Sequence, residues 1–272
     1  MLIGSRVYDM QNHTYIMGIL NVTPDSFSDG GAFQAIDKAL YRAQQMIEEG
    51  ADIIDIGGES TRPGHHEIEI NEEIERVVPV IERVVKEFDI PISIDTYKSQ
   101  VAKEALSVGA CMVNDIWGLG FDAQMINIIR EANASVCLMH NRNDIPEQED
   151  KEQFLDHVIK TLRESIQKAE QGGIGSDKIM IDPGVGFGKT YEQNLAIIGS
   201  LSLFTELSYP VLLGTSRKSV IGLTLDLPIN QREEGTLVTT VMAVMAGCSF
   251  VRVHDVEKNR RAIAMTKAIL RS

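Results

Sequence analysis

The stretch "KIMIDPGVGFGKT", Lys178 to Thr190, decides how the chain is built. Its ending suggests a nucleotide P-loop, a pattern of Gly, four residues and then Gly-Lys-Ser/Thr. Counting back from Gly188, however, the position of the first Gly is held by Pro183. Asp182 also stands where an incoming phosphate would meet like charge. The stretch reads instead as a short buried strand that ends in an acid and runs into a glycine-rich loop.

Seven other runs share that form: "YIMGILN" (15–21), "DIIDIGG" (52–58), "PISIDT" (91–96), "CMVNDI" (111–116), "SVCLMH" (135–140), "PVLLGT" (210–215) and "FVRVHD" (250–255). Each is rich in Ile, Val, Leu or Met and short enough for a fully buried parallel strand. Between them lie helical stretches of mixed charged and apolar residues. "AIDKALYRAQQMIEEG" and "EEGTLVTTVMAVMAG" both end in the Gly of a helix C-cap, and "NEEIERVVPVIERVVKEF" shows the same amphipathic character. Eight strands alternating with eight helices specify an α/β fold, the TIM (β/α)8 barrel, as a single domain over residues 1–272. A doubly wound open sheet is the alternative. The first 14 residues are expected to form a short N-terminal hairpin plugging the barrel bottom.

Most of these strands also end in chemistry. Asn21, Asp95, Asn114, His140, Asp182, Lys218 and the pair Arg252 and His254 lie at or just past the strand ends. In a barrel those ends converge on one mouth, where such folds place their sites. Asn and Asp are common in turns, which accounts for one or two of these residues but not for Lys218 or for two cationic residues in an apolar strand. The period-two spacing of Arg252 and His254 points both to one face and to a shared anion. Two strand-to-helix connections, "VTPDSFSDGGAF" (22–33) and "GESTRPGHHEIEI" (58–70), exceed the usual two to six residues or so and read as lids over that mouth.

A chain of 272 residues buries roughly three quarters of its unfolded surface, enough for one large core. The formal net charge of −13 argues against nucleic acid and anionic membranes, which attract basic faces. Mean hydropathy is −0.06, and "MLIGSRVYDM" does not read as a signal leader, so a cytoplasmic protein is expected. Cys111, Cys137 and Cys248 sit in apolar runs without metal-type spacing and read as buried thiols. His65 and His66 resemble a metal pair, but adjacent side chains of an extended loop point apart.

The segments "MGILNVTPDSFSDGG", "DIIDIGGESTRPG", "ISIDT", "VNDI", "LMH", "IDPGVGFGKT", "GTSRKSVIG" and "VRVHDV" together resemble the dihydropteroate synthases over nearly the whole chain. The resemblance implies a homodimer, Mg2+ as cofactor, and condensation of (7,8-dihydropterin-6-yl)methyl diphosphate with 4-aminobenzoate. By that resemblance Asp182 accepts from the pterin ring N–H and 2-amino group, Asn114 complements the same edge, and Met139 lies beside the ring. Asp95 sits where positive character grows, and Lys218 donates to the pterin carbonyl or ring nitrogen. Arg252 and His254 take the diphosphate, and Asn21 gives an amide oxygen to Mg2+. Phe187 offers an apolar face to both rings, Lys189 and Thr190 begin the next helix, and Thr61, Arg62, Pro63, Phe27 and Ser219 shape the second-substrate pocket. Asp55 and Glu59 receive no role, and Trp117 is a candidate for the mouth. "HNRNDIPEQED" departs from the Pro-Met-Gln ending common in the family. A pterin-dependent methyltransferase would share the Asp and Asn clamp but has no reason to keep "TSRKS" and "VRVHD". A catalytically silent pterin-binding barrel would be expected to lose Asn21 or His254, and both are present.

Overall fold

Eight parallel strands follow one another around a closed ring: β3 (Tyr15–Asn21), β4 (Ile53–Gly57), β5 (Ile92–Asp95), β6 (Met112–Asp115), β7 (Ser135–Met139), β8 (Ile179–Asp182), β9 (Leu212–Leu213) and β10 (Phe250–Val253). The structure, a computed structural model, describes residues 1–22, 31–59, 67–141 and 150–272, and only the backbone of 31–33. The hydrogen-bonded order is β8-β7-β6-β5-β4-β3-β10-β9. A parallel bridge between Ile181 and Val211 joins the two ends, with the Ile181 N–H donating to the Pro210 carbonyl at 2.9 Å. The sheet is therefore a barrel, not the open doubly wound alternative, and all eight expected runs supply its staves.

The helices depart from a strict one-per-strand count. α1 (Gly31–Glu49), α2 (Ile70–Glu87), α3 (Ser99–Ser107), α4 (Met125–Glu131) and α5 (Lys151–Gln171) each follow one strand, as does the final α10 (Val256–Leu270). Two pairs, α6 (Tyr191–Gly199) with α7 (Leu201–Thr205) and α8 (Ser219–Leu225) with α9 (Glu233–Ala246), fill the remaining connections. At Gly50 and Gly247 the backbone turns left-handed, with φ of +100° and +82°, which ends α1 and α9 where the sequence placed their caps. No described helix is long and apolar enough to cross a membrane.

Alternation along each stave sorts side chains into an outer and an inner set. Outward residues such as Ile54, Ile56, Val113, Val136, Val251 and Val253 join the main core beneath the helices. Inward residues at the lower end, Met17, Ile53, Met112, Cys137, Met180, Leu212 and Phe250, form a separate apolar floor. The antiparallel hairpin β1 (Leu2–Ile3) and β2 (Arg6–Val7) closes that floor from below by inserting the fully buried Ile3. Two residues further along, β4, β6, β8 and β10 turn polar side chains inward, Asp55, Asn114, Asp182 and Arg252, and Asp95 on β5 joins them. One end is thus plugged with hydrocarbon, and all chemistry is left to the other.

Candidate active site

Asp55, Asp95, Asn114, Asp182 and Arg252 occupy that polar layer, and the four acidic or amide residues among them are at most 5% exposed. The Arg252 guanidinium crosses the barrel, Nε donating to Asp55 and one Nη to Asp95, each at 2.6 Å. Asn114 donates its amide to Asp55 at 3.1 Å. Asp182, at the end of β8, accepts the Gly184 N–H at 2.7 Å, a bond that orients the carboxylate across the opening.

Gly214 shows how closely the charges converge. A methyl group there would lie 3.6 Å from Asp182 Oδ2, 3.9 Å from the Arg252 Cβ and 3.9 Å from Lys218 Nζ. Asp182 and the Lys218 ammonium, both expected to meet the heterocycle, and the base of the Arg252 side chain, expected to meet its diphosphate, therefore border one small volume. Lys218 arrives from the loop after β9 as the residue before α8, its ammonium 4.4 Å from the centre of the Phe187 ring and bonded to the Val185 carbonyl. Phe187 packs with Trp117 against Tyr97, Ile116 and Met139, an apolar wall beside the polar layer.

Burial raises Asp182 above the usual carboxylate range, opposed by Lys218, by the Gly184 N–H and by Lys189. Burial likewise raises Asp95 against the attraction of Arg252, with Asp55 adding repulsion. Arg252 itself is raised, because Asp55 and Asp95 outweigh the desolvation that would lower it. Burial pushes Lys218 down to about 8, although Asp182 pulls it upward. Three carboxylates, Asp55, Asp95 and Asp182, thus share the pocket with two cations, Lys218 and Arg252.

The "GKT" that suggested a P-loop has another use. Thr190 caps α6 in a reciprocal pair with Gln193, and the Lys189 ammonium donates to the carbonyls of Gly184 (2.8 Å), Phe187 (3.0 Å) and His140 (3.1 Å). Neither side chain points to a phosphate cradle. His254 lies two residues beyond Arg252 on β10, its Nδ1 2.9 Å from the Ser216 hydroxyl, at the edge of a cleft of about 420 Å³ that Arg42 and Lys258 also line.

The other expected residues fall in different places. Arg252, expected to take the diphosphate, gives two of its five N–H groups to Asp55 and Asp95, leaving three. Ser219 is exposed at the start of α8. Asn21 ends β3 at the mouth beside Gly57. Cys137 and Cys248 are buried, whereas Cys111 is half-buried, and none forms a disulfide. Phe27, Thr61, Arg62 and Pro63, with His65 and His66, lie outside the described residues.

Two features went unread in the sequence. Asp55 braces Arg252 and Asn114 together, and its only signal was an acid on the inward period of an apolar strand. Lys98 forms a buried triad with Glu59 (2.5 Å) and Glu73 (2.8 Å), and also holds the Ile68 carbonyl at 2.8 Å. Tyr97 completes it by donating to Glu59 at 2.8 Å. Nothing in the one-dimensional pattern brings these four residues together.

A model of the pterin-binding enzyme family matches residues 17–254. The chain belongs to this family, among its dihydropteroate synthases. It is 51% identical to the dihydropteroate synthase of Clostridium beijerinckii over 100% of both chains. A dihydropteroate synthase from Clostridium difficile, solved in the presence of pteroic acid, superposes with a TM-score of 0.93 at 50% identity, covering 98% of this chain and 100% of that one. The enzyme from Xanthomonas albilineans, solved with 4-aminobenzoic acid, gives a TM-score of 0.92 at 38% identity over 99% and 97% of the two chains.

Proposed function

We propose that the chain joins (7,8-dihydropterin-6-yl)methyl diphosphate to 4-aminobenzoate, releasing 7,8-dihydropteroate and pyrophosphate. The observation that carries this reading is the convergence of Asp182, Lys218 and Arg252 on the space beside Gly214. A flat ring with two N–H donors on one edge suits a carboxylate. The N–H groups Arg252 keeps available, with the nearby His254, suit the diphosphate at the other end of the same molecule.

Departure of the diphosphate leaves positive character on the pterin methylene and ring, and Asp95, held in place by its 2.6 Å bond from Arg252, is the carboxylate assigned to face it. The amine of 4-aminobenzoate is neutral at pH 7; its nitrogen bonds to the methylene whose C–O bond to the diphosphate has broken, and the extra proton passes to solvent or the released pyrophosphate without a dedicated base. Positioning alone can lower such a barrier by about 7–11 kcal/mol. Met139 and Phe187 supply the apolar wall against which the two rings stack, and Lys218 donates to the pterin. The roles of Phe27, Thr61, Arg62, Pro63 and Ser219 in holding the second substrate remain part of this proposal.

Mg2+ fits the donor set as a companion of the substrate. Among the described residues no group of three or more His, Cys, Asp or Glu could hold a metal ion. The amide oxygen of Asn21 is the kind of single protein ligand that Mg2+ accepts when phosphate oxygens and water complete its shell. When bound there, the ion would neutralise charge on the departing diphosphate.

A homodimer through the last helices is also proposed. Val238 and Met245 on α9, and Met265 and Ile269 on α10, are each about 60% exposed or more, and the two helices pack side by side. Seven- and four-residue spacings place each pair on one helix face. Sedimentation of Met265→Glu against the parent chain tests it.

For the reaction, pyrophosphate release from the pterin diphosphate is measured with and without 4-aminobenzoate and Mg2+. Release that requires both supports the proposal, and no release in their presence overturns it.

A further inference from the structure

We propose that Lys189 is a positioning residue for the second substrate: its ammonium staples the Gly184–Gly188 turn to the end of β7, and so fixes the Phe187 ring and the carbonyl on which Lys218 rests. The inference rests on the reaction proposed above, because it assigns Phe187 and Lys218 to the pocket where the rings meet.

The turn has little of its own to hold it. Gly184, Gly186 and Gly188 all adopt left-handed φ, at +73°, +86° and +58°, so the chain reverses through residues of high conformational freedom. Two polar side chains supply what the glycines lack. Lys189 takes three carbonyls, two within the turn and one, that of His140, on the neighbouring stave. Asn194, buried on α6, accepts the Gly186 N–H at 2.6 Å and donates to the carbonyls of Lys189 and Thr190. An ammonium with three donors and three acceptors is fully used.

The consequences run toward the mouth. Gly184, held by Lys189, sits so close to β7 that a Cβ there would lie 1.9 Å from the His140 carbonyl oxygen, so the turn can close down only on glycine. Val185, the next residue, supplies the carbonyl that takes the Lys218 ammonium. Phe187, whose own carbonyl is stapled, places its ring 4.4 Å from that ammonium. Loosening the staple therefore moves the aromatic wall and the Lys218 head together and slackens the Gly184 N–H bond to Asp182, while Asn114, seated in β6, keeps its place.

The experiment compares Lys189→Met and Asn194→Ala with the parent chain. Calorimetry measures pterin diphosphate binding alone, steady-state assays measure kcat and the KM for 4-aminobenzoate, and emission is recorded from Trp117. That residue is the single tryptophan of the chain and a neighbour of Phe187 in the apolar wall. The expected result is a KM for 4-aminobenzoate raised tenfold or more and a shifted Trp117 emission, with pterin diphosphate affinity reduced by a clearly smaller factor, because Lys218 and the Gly184 bond to Asp182 are disturbed as well. An unchanged KM and emission, or equal loss of both ligands, would overturn the assignment. Should Lys189→Met not fold, Asn194→Ala decides by the same criteria. A parent chain that neither binds pterin diphosphate nor releases pyrophosphate would sink the reaction itself, and the Trp117 shift still reads the staple separately.

Discussion

Asn114 and Arg252, which come from opposite sides of the barrel, both donate to the same oxygen of Asp55, at 3.1 and 2.6 Å. One buried carboxylate thus fixes the group assigned to the pterin edge and the group assigned to the diphosphate. With one N–H given to Asp55, the Asn114 amide keeps its carbonyl oxygen and its second N–H for other partners.

Replacing Asp55 by Ala is expected to weaken both ends of substrate binding. A hydrogen bond to a charged group contributes about 2 kcal/mol, so pterin diphosphate affinity should fall roughly 30-fold. The fold should survive, because Asp95 still pairs Arg252. Calorimetry with wild-type affinity would show that Asp55 does not organise the site.

Activity should decline as pH rises through about 8. Burial lowers Lys218 to about that value, and its proposed role requires the protonated donor, which is present below that pH and lost above it. The effect on stability has the opposite sign. Between about 8 and the unfolded value near 10.4 the unfolded chain binds the extra proton, so this group makes the fold more stable as pH rises. A kcat/KM profile with no limb near 8 would place the titration elsewhere.

Gly214→Ala should separate folding from binding. Its methyl would meet its nearest neighbours at 3.6–3.9 Å, ordinary contact without a clash, so thermal stability should change little. The same methyl occupies the space between Asp182, Lys218 and Arg252, and pterin affinity should drop tenfold or more. Calorimetry beside a melting curve reads both, and undiminished binding would mean the ring lies elsewhere.

Lys98→Met should be costly for stability. It removes the cation that lies between Glu59 and Glu73, whose side chains are 3% and 1% exposed, and breaking a buried charge set in this way costs about 3–5 kcal/mol. Burial already raises Glu73, with Lys98 drawing it back. Without that cation the folded state would hold carboxyl protons more tightly than the unfolded state, whose carboxyls titrate near 4.3 or so. The variant should therefore lose stability as pH climbs above that value. Denaturation at pH 5 and pH 8 measures this, and equal losses at both would contradict the buried-acid account.

The staves, the plug and the strand-end residues were legible in the sequence because each depends on a local pattern: apolar runs of fixed length, a glycine after a helix, a charge on the inward period. Asp182, Asn114, Lys218 and Arg252 could be picked out because charged and amide groups at the ends of apolar strands have few structural uses. The pairing of Arg252 with Asp55 and Asp95, the Lys98 triad and the three carbonyls gathered by Lys189 could not be read this way. Those contacts join residues as many as 197 positions apart, and their partners are set by the curvature of the closed sheet. Hydrophobic periodicity specifies which face of each strand turns inward. Only ring closure determines which inward side chains meet, because a hydrogen bond depends on ångström distances that strand order alone does not set.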